Sequence, residues 1–182
     1  MIINGVEMRG LAVDDAAGLA DVLTRNRAYL APYEPSRPEA FYTEAGQRAR
    51  IEGMLDERDG GRLVPYVLVE AAGGAVVGAM NLGSIAYGPL CSGGVGYWVD
   101  REWHGKGLAT AALEEVCRAA RDELGLHRIE AQTLVDNTAS MRVLAKAGFT
   151  EIGLAPRYLH INGAWRDHRL FQRVLHDDPP TA

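Results

Sequence analysis

Small or apolar residues recur every four positions at Leu108, Ala112, Val116, Ala120 and Leu124, a stripe that drifts slowly around a helix and suits burial against a sheet. Gly125 predicts its end. A shorter helix follows, capped by Asp136-Asn137-Thr138, with Leu144 and Ala147 turned inward and Gly148 as its stop. Between the two, His127 to Leu134 alternates Ile129, Ala131 and Thr133 with Arg128, Glu130 and Gln132, the period of a half-exposed strand. Upstream, Val6 to Leu11 reads as a strand, and Asp14-Asp15 supply cap and first-turn carboxylates for a helix to about Arg27. A second helix runs from Thr43 to about Arg58 and ends at Gly60-Gly61. The runs beginning at Tyr66 and Ala75 flank Gly73-Gly74, which predicts a β-hairpin with a two-residue turn. Val95 to Val99 makes a further strand, Phe149 to Leu154 and Trp165 to Val174 make two closing strands, and 177–182 reads as a frayed tail after a domain of 1–176.

A chain of 182 residues suits one domain, and 47% hydrophobic with 24% charged residues argues against disorder. Nineteen Lys+Arg against 24 Asp+Glu give a net charge of −5, which leaves no cationic excess for direct nucleic-acid binding. No basic start leads into an apolar run, and no stretch reaches the ~18 apolar residues of a spanning helix, so a cytoplasmic protein without a membrane partner is expected. Cys91 and Cys117 form no disulfide or C-x-x-C pattern, and the five histidines lack ligand spacing, so no metal is predicted. The pattern leaves monomer and homodimer open.

The chemically informative stretch is the glycine-rich passage from strand to helix, His104-Gly105-Lys106-Gly107-Leu108-Ala109-Thr110. A strand that stops at such a bend and opens a helix leaves first-turn amides unpaired, where the helix dipole adds partial positive charge. That arrangement takes an anion, with Lys106 or Arg101 available to add a cation to a phosphate. The P-loop pattern fails because position 100 is Asp and position 107 is Gly; the dinucleotide pattern G-x-G-x-x-G fails at Thr110. The three prolines of Pro32-Tyr33-Glu34-Pro35-Ser36-Arg37-Pro38 forbid continuous helix, and this segment reads either as a substrate lip or as a rigid connector.

His104-x-x-Gly107-x-Ala109 resembles the Q/R-x-x-G-x-G/A acyl-CoA loop of the GNAT acetyltransferase superfamily, with His104 in place of the usual Gln or Arg. Pro32-Tyr33-Glu34-Pro35, Gly96-Tyr97-Trp98-Val99, Asp136-Asn137-Thr138-Ala139-Ser140, Gly148-Phe149 and Trp165-x-Asp167-His168 extend the likeness to the RimJ/RimL type, ribosomal-protein N-terminal acetyltransferases, from about residue 6 to residue 174. The resemblance implies a single α/β domain. Its mixed, mostly antiparallel sheet would be splayed after the Tyr97–Val99 strand and carry helices on both faces. It implies acetyl-CoA as co-substrate, with pantetheine on the main chain of Trp98 and Val99 and pyrophosphate on the amides of Gly105, Lys106, Gly107, Leu108, Ala109 and Thr110. Asn137 would contact the pantetheine arm, and Ser140 would lie near the cofactor sulfur and protonate the leaving thiolate, the alternatives being a helix cap and a first-turn serine. Tyr33, Glu34, Tyr97 and Tyr158 would frame the acceptor amine, while His168 reads as structural.

Gly94 and Arg157 stand where the family often carries carboxylates, which leaves Glu130, Glu34 or a bound water as proton acceptor, with an ion pair to Arg128 as the other reading of Glu130. An α-amine has a pKa near 7.7–8.0 and a lysine near 10.4, so deprotonating the lysine costs about 3 kcal/mol more and a weak base suffices only for the former. The expected activity is direct acetyl transfer to a protein or peptide N-terminal α-amine, through a tetrahedral intermediate and without a covalent enzyme adduct. The alternatives are a small-molecule amine acetyltransferase (antibiotic, amino acid or polyamine) and a non-catalytic acyl-CoA sensor.

Overall fold

In the computed structural model, which describes residues 2–3 and 5–179, eight strands form one sheet. They are β1 (Ile2–Ile3), β2 (Val6–Gly10), β3 (Val64–Glu70), β4 (Val76–Ala86), β5 (Ser92–Val99), β6 (Arg128–Leu134), β7 (Thr150–Ile161) and β8 (Ala164–Val174). Their order across the sheet is β1-β2-β3-β4-β5-β6-β8-β7, and every neighbouring pair is antiparallel except β5–β6. The helices are α1 (Ala16–Leu30), α2 (Glu44–Asp59), α3 (Leu108–Asp122) and α4 (Thr138–Lys146).

Alternation along the strands produces two cores. Val67, Val69 and Val76 pack with Leu19, Val22 and Leu23 of α1 and Ile51 of α2. Leu68, Met80, Leu82 and Ile129 point the other way, onto Leu108, Leu113 and Val116 of α3 and Leu144 of α4. The helices therefore lie on both faces, α1 and α2 on one and α3 and α4 on the other, as the stripe from Leu108 predicted. Gly125, at φ +65°, follows α3 as the left-handed residue that lets the Leu126 amide return to the Ala120 carbonyl at 2.9 Å.

Strands β5 and β6 pair only through Ser92/Arg128, Gly93/Ile129 and Gly94/Glu130. Beyond these pairs β5 stays with β4 as far as Val99, and β6 stays with β8 as far as Leu134, so the sheet opens between them. The sheet is thus splayed after the strand that carries Tyr97–Val99, as expected, with the gap running from Val95 onward.

Three local expectations change. The β3–β4 connection is the five-residue stretch 71–75 rather than a two-residue turn: Gly74 N donates to Glu70 O at 2.9 Å, and only Gly74 takes a positive φ, +69°. β7 continues well past Leu154 because two register shifts absorb Ile152 and the stretch 156–158 within one long hairpin with β8. Helix α1 extends to Leu30 and enters through a 3-10 turn at Val13–Asp15, where the Asp15 carboxylate accepts from Ala12 N and from Arg9. Of the expected tail, 177–179 carries no helix or strand and 180–182 lies outside the described residues.

Candidate active site

The opening between β5 and β6 is a cleft in two connected parts that share Val99, His104, Ala109, Ala139 and Val143. The outer part, about 250 Å³, is walled by the glycine bend and by α4. The inner part, about 380 Å³, passes through the sheet to the C-terminal end of α1.

The outer part begins where α3 begins. Gly105 and Gly107 have φ of +76° and +81°, a left-handed conformation that a side chain would strain. Gly107 is the N-cap and has no side chain to cap with; the first intrahelical donor there is Ala111 N, 3.1 Å from Gly107 O. The amides of Leu108, Ala109 and Thr110 are thus the helix's unpaired first-turn donors. A Cβ added at Gly105 or Gly107 would meet nothing within 4 Å, so the space beside the bend is open to a ligand. Across the cleft, Arg142 and Lys146, one helical turn apart on α4, line the same space. Their spacing was visible in the sequence, but their facing direction was not. Lys106 does not line the cleft; its ammonium rests 4.9 Å from the Trp103 ring centroid. Arg101 does not line the cleft either; its backbone amide donates to Asn26 Oδ1 at 2.9 Å.

Ladder parity decides which backbone groups of β5 face the gap. Asp100 N donates to Val77 O at 2.8 Å, and antiparallel pairs alternate, so the Trp98 amide and carbonyl bond Ala79 of β4. Tyr97 and Val99 carry theirs toward the missing strand. β4 thus engages the Trp98 main chain, whereas the Val99 amide is turned to the gap. Trp98 still borders the inner cleft.

On the face of α3 and α4, the Tyr97 hydroxyl lies 2.9 Å from Ser140 Oγ. Burial raises the Tyr97 phenol to about 12, with the Ser140 contact pulling weakly the other way. The phenol therefore stays protonated at neutral pH, and the two hydroxyls share one hydrogen bond in which either oxygen can be the donor. Ser140 N donates to Asn137 Oδ1 at 3.1 Å, so Asn137 caps α4 and retains its amide NH2 as the group it can offer a ligand. Both residues line the inner cleft.

On the opposite face stand Tyr29, Tyr33 and Glu34, carried by the end of α1 and the turn after it. Glu34 is the one carboxylate among the residues lining the inner cleft. Burial raises its pKa, and Arg37 and Arg50 partly offset that. The Asn162 amide donates to Glu34 O at 3.2 Å and ties this lip to the β7–β8 hairpin.

Two expected residues fall elsewhere. Glu130 is not a cleft residue: it pairs with Arg128 at 2.9 Å, the other reading the sequence offered. Tyr158 is 44% exposed and does not line the cleft, because the β-bulge after Ala155 puts Leu159 and Ile161 there; its ring sits 5.6 Å from that of His168. His168, set aside as structural, is 3% exposed and does line the cleft.

A sheet opened beside a glycine-capped helix, with an anion-binding bend at one end and a carboxylate at the other, defines an acyl-carrier transferase. Residues 6–150 match the family model described as the acetyltransferase (GNAT) domain. The ribosomal protein uS5-alanine N-acetyltransferase of Escherichia coli (strain K12) is 35% identical over 167 residues, covering 91% of this chain and 86% of that protein. Among solved structures, the ribosomal-protein-S5-alanine acetyltransferase from Vibrio fischeri superposes with a TM-score of 0.93 at 33% identity, covering 97% of both chains. Mycobacterium smegmatis RimJ in complex with CoA-disulfide superposes at 0.88 with 35% identity, covering 93% of this chain and 81% of that one. The chain belongs to the GNAT acetyltransferase family and is an acyltransferase, with RimJ-type enzymes as its neighbours. Among the described residues, no helix is long and apolar enough to cross a membrane.

Proposed function

We propose that the protein transfers the acetyl group of acetyl-CoA to the α-amino group of a protein or peptide N-terminus. The observation that carries this reading is the chemical polarity of the cleft, with anion donors and a thiolate-protonating pair on one face of the sheet and an acidic lip on the other. The diphosphate would lie on the amides of Leu108 to Thr110, with Arg142 and Lys146 opposite. Bound there, acetyl-CoA supplies the thioester. The Val99 amide, turned into the gap, would hold the pantetheine arm or the carbonyl oxygen as negative charge develops on it. Ser140 would give its proton to the departing sulfur and recover one from Tyr97. Glu34 would attract the acceptor as an ammonium at the lip. The relatives named for ribosomal protein S5 alanine support a protein N-terminus as acceptor.

Peptides that differ only in presenting an α-amine or a lysine ε-amine test the acceptor class. The α-amine should be preferred in kcat/KM by at least about tenfold, part of the ~3 kcal/mol that separates the two deprotonation costs. A preference for the lysine peptide would reject the reading.

A further inference from the structure

We infer that His168 Nε2 receives the proton released by the acceptor amine, an assignment that rests on the acetyltransferase reading above. His168 is a buried polar residue on β8, and it lines the cleft. Its Nδ1 lies 3.0 Å from the Arg166 carbonyl oxygen. A carbonyl can only accept, so Nδ1 carries the hydrogen, and in the neutral ring Nε2 is a lone-pair acceptor. One fixed hydrogen bond thus selects the tautomer and sets the ring's orientation.

Register places this side chain on the face of α1 and the lip. The β6–β8 ladder runs without a shift from Arg128/Val174 to Leu134/His168. Within it, Ala131 and Phe171 face the core under α3 and α4. Three residues further along, Leu134 and His168 face the other way, toward α1 and the lip. Ser140 and Tyr97 belong to the first face. The group that protonates sulfur and the group that deprotonates nitrogen then approach the thioester from opposite sides of the sheet.

Among the residues lining the two parts of the cleft, Glu34, His104 and His168 carry the carboxylate and imidazole groups, the side chains whose chemistry suits proton acceptance. His104 sits at the junction with the anion-binding bend, against Tyr29, and so belongs with the phosphates. Glu34 is on the lip, where its charge serves the incoming ammonium. His168 is more deeply enclosed, and its ring is packed against that of Tyr158 at 5.6 Å. In the step itself the amine lone pair attacks the thioester carbonyl carbon and the new C–N bond forms. The excess proton on nitrogen passes to His168 Nε2 and then to solvent. The C–S bond breaks, and the thiolate takes the Ser140 proton, so amine and thioester become amide and free thiol.

The test uses the full chain with acetyl-CoA and a peptide bearing a free α-amine. His168→Asn preserves a donor toward the Arg166 carbonyl and removes the Nε2 lone pair. It should lower kcat by about 10²-fold with the KM for acetyl-CoA and the melting temperature unchanged. His168→Ala should be equally slow, and added imidazole should restore its kcat by at least about tenfold. A His168→Asn enzyme within threefold of wild type would overturn the assignment. So would a loss in kcat that imidazole fails to relieve and that comes with a raised acetyl-CoA KM, since a purely structural histidine would give that result. If the wild type releases no thiol with any amine, the acetyltransferase reading fails as well; an active wild type with an indifferent variant rejects His168 alone.

Discussion

Gly107→Val should raise the KM for acetyl-CoA by about a hundredfold and weaken CoA binding in parallel, which corresponds to about 2.7 kcal/mol. The residue holds φ at +81°, where a β-branched side chain is a true outlier. Keeping that geometry would cost of order 1–3 kcal/mol, and escaping it would turn the first amides of α3 away from the cleft. Either route harms the anion site. Crowding within the folded chain is not the cause, since a Cβ there meets nothing within 4 Å. The new methyls would occupy the space reserved for the ligand. Titration of CoA into wild type and variant measures the loss, and a melting curve separates it from general unfolding.

Asp100→Ala should cost stability and acetyl-CoA affinity together. Asp100 is 2% exposed at the point where β5 hands over to the glycine bend, and it accepts from Arg25 Nε at 2.9 Å and from Glu102 N at 3.2 Å. The next residue of α1, Asn26, accepts from the Arg101 amide at 2.9 Å. Two consecutive side chains of α1 thus clamp the bend, about one turn before the helix runs into the segment that bears Tyr33 and Glu34. Removing one member of a buried pair costs about 3–5 kcal/mol, but the Arg25 side chain is 47% exposed and can rehydrate, so about 2 kcal/mol is expected. For a chain of this size that is roughly 4–8 °C in Tm. Burial pushes the Asp100 carboxyl up, but the Arg25 hydrogen bond, the Glu102 amide, Asn26 and the Arg25 charge together outweigh it and hold its pKa below the ordinary value. A carboxyl held low contributes stability that is fully present above its unfolded pKa and is lost as pH falls through its folded one. The gap in Tm between wild type and Asp100→Ala should therefore be widest near neutrality and close in acid. A gap independent of pH would mean that the ion pair contributes nothing.

Much of this architecture was legible where one physical signal acted alone. The stripe from Leu108, the stop at Gly125 and the glycine bend each depend on local periodicity or backbone freedom, and all three stand in the fold. The long β7–β8 hairpin was not legible, because Gly153 and Pro156 read as breaks in a strand, and the bulges at Ile152 and 156–158 that let it continue are set by cross-strand pairing. The second shift places Leu159 and Ile161, rather than Tyr158, in the cleft wall. Glu130 failed as a candidate base because its side chain belongs to an ion pair outside the cleft, and sequence alternation cannot say which residues border a gap that opens only beyond Gly94. Which of the Trp98 and Val99 backbone groups face the gap was hidden for a related reason, since strand parity is known only once the partner is known. His168 was passed over because a lone histidine in an alternating strand carries no signal of what its ring faces; the Arg166 carbonyl and the cleft supply that information.

The most direct check of the whole scheme is a calorimetric titration of coenzyme A into the purified wild-type chain and into Gly107→Val. The scheme predicts saturable binding by the wild type, one molecule per chain, and its loss in the variant while the variant still melts cooperatively. Equal binding by both proteins, or no heat with the wild type, would contradict it.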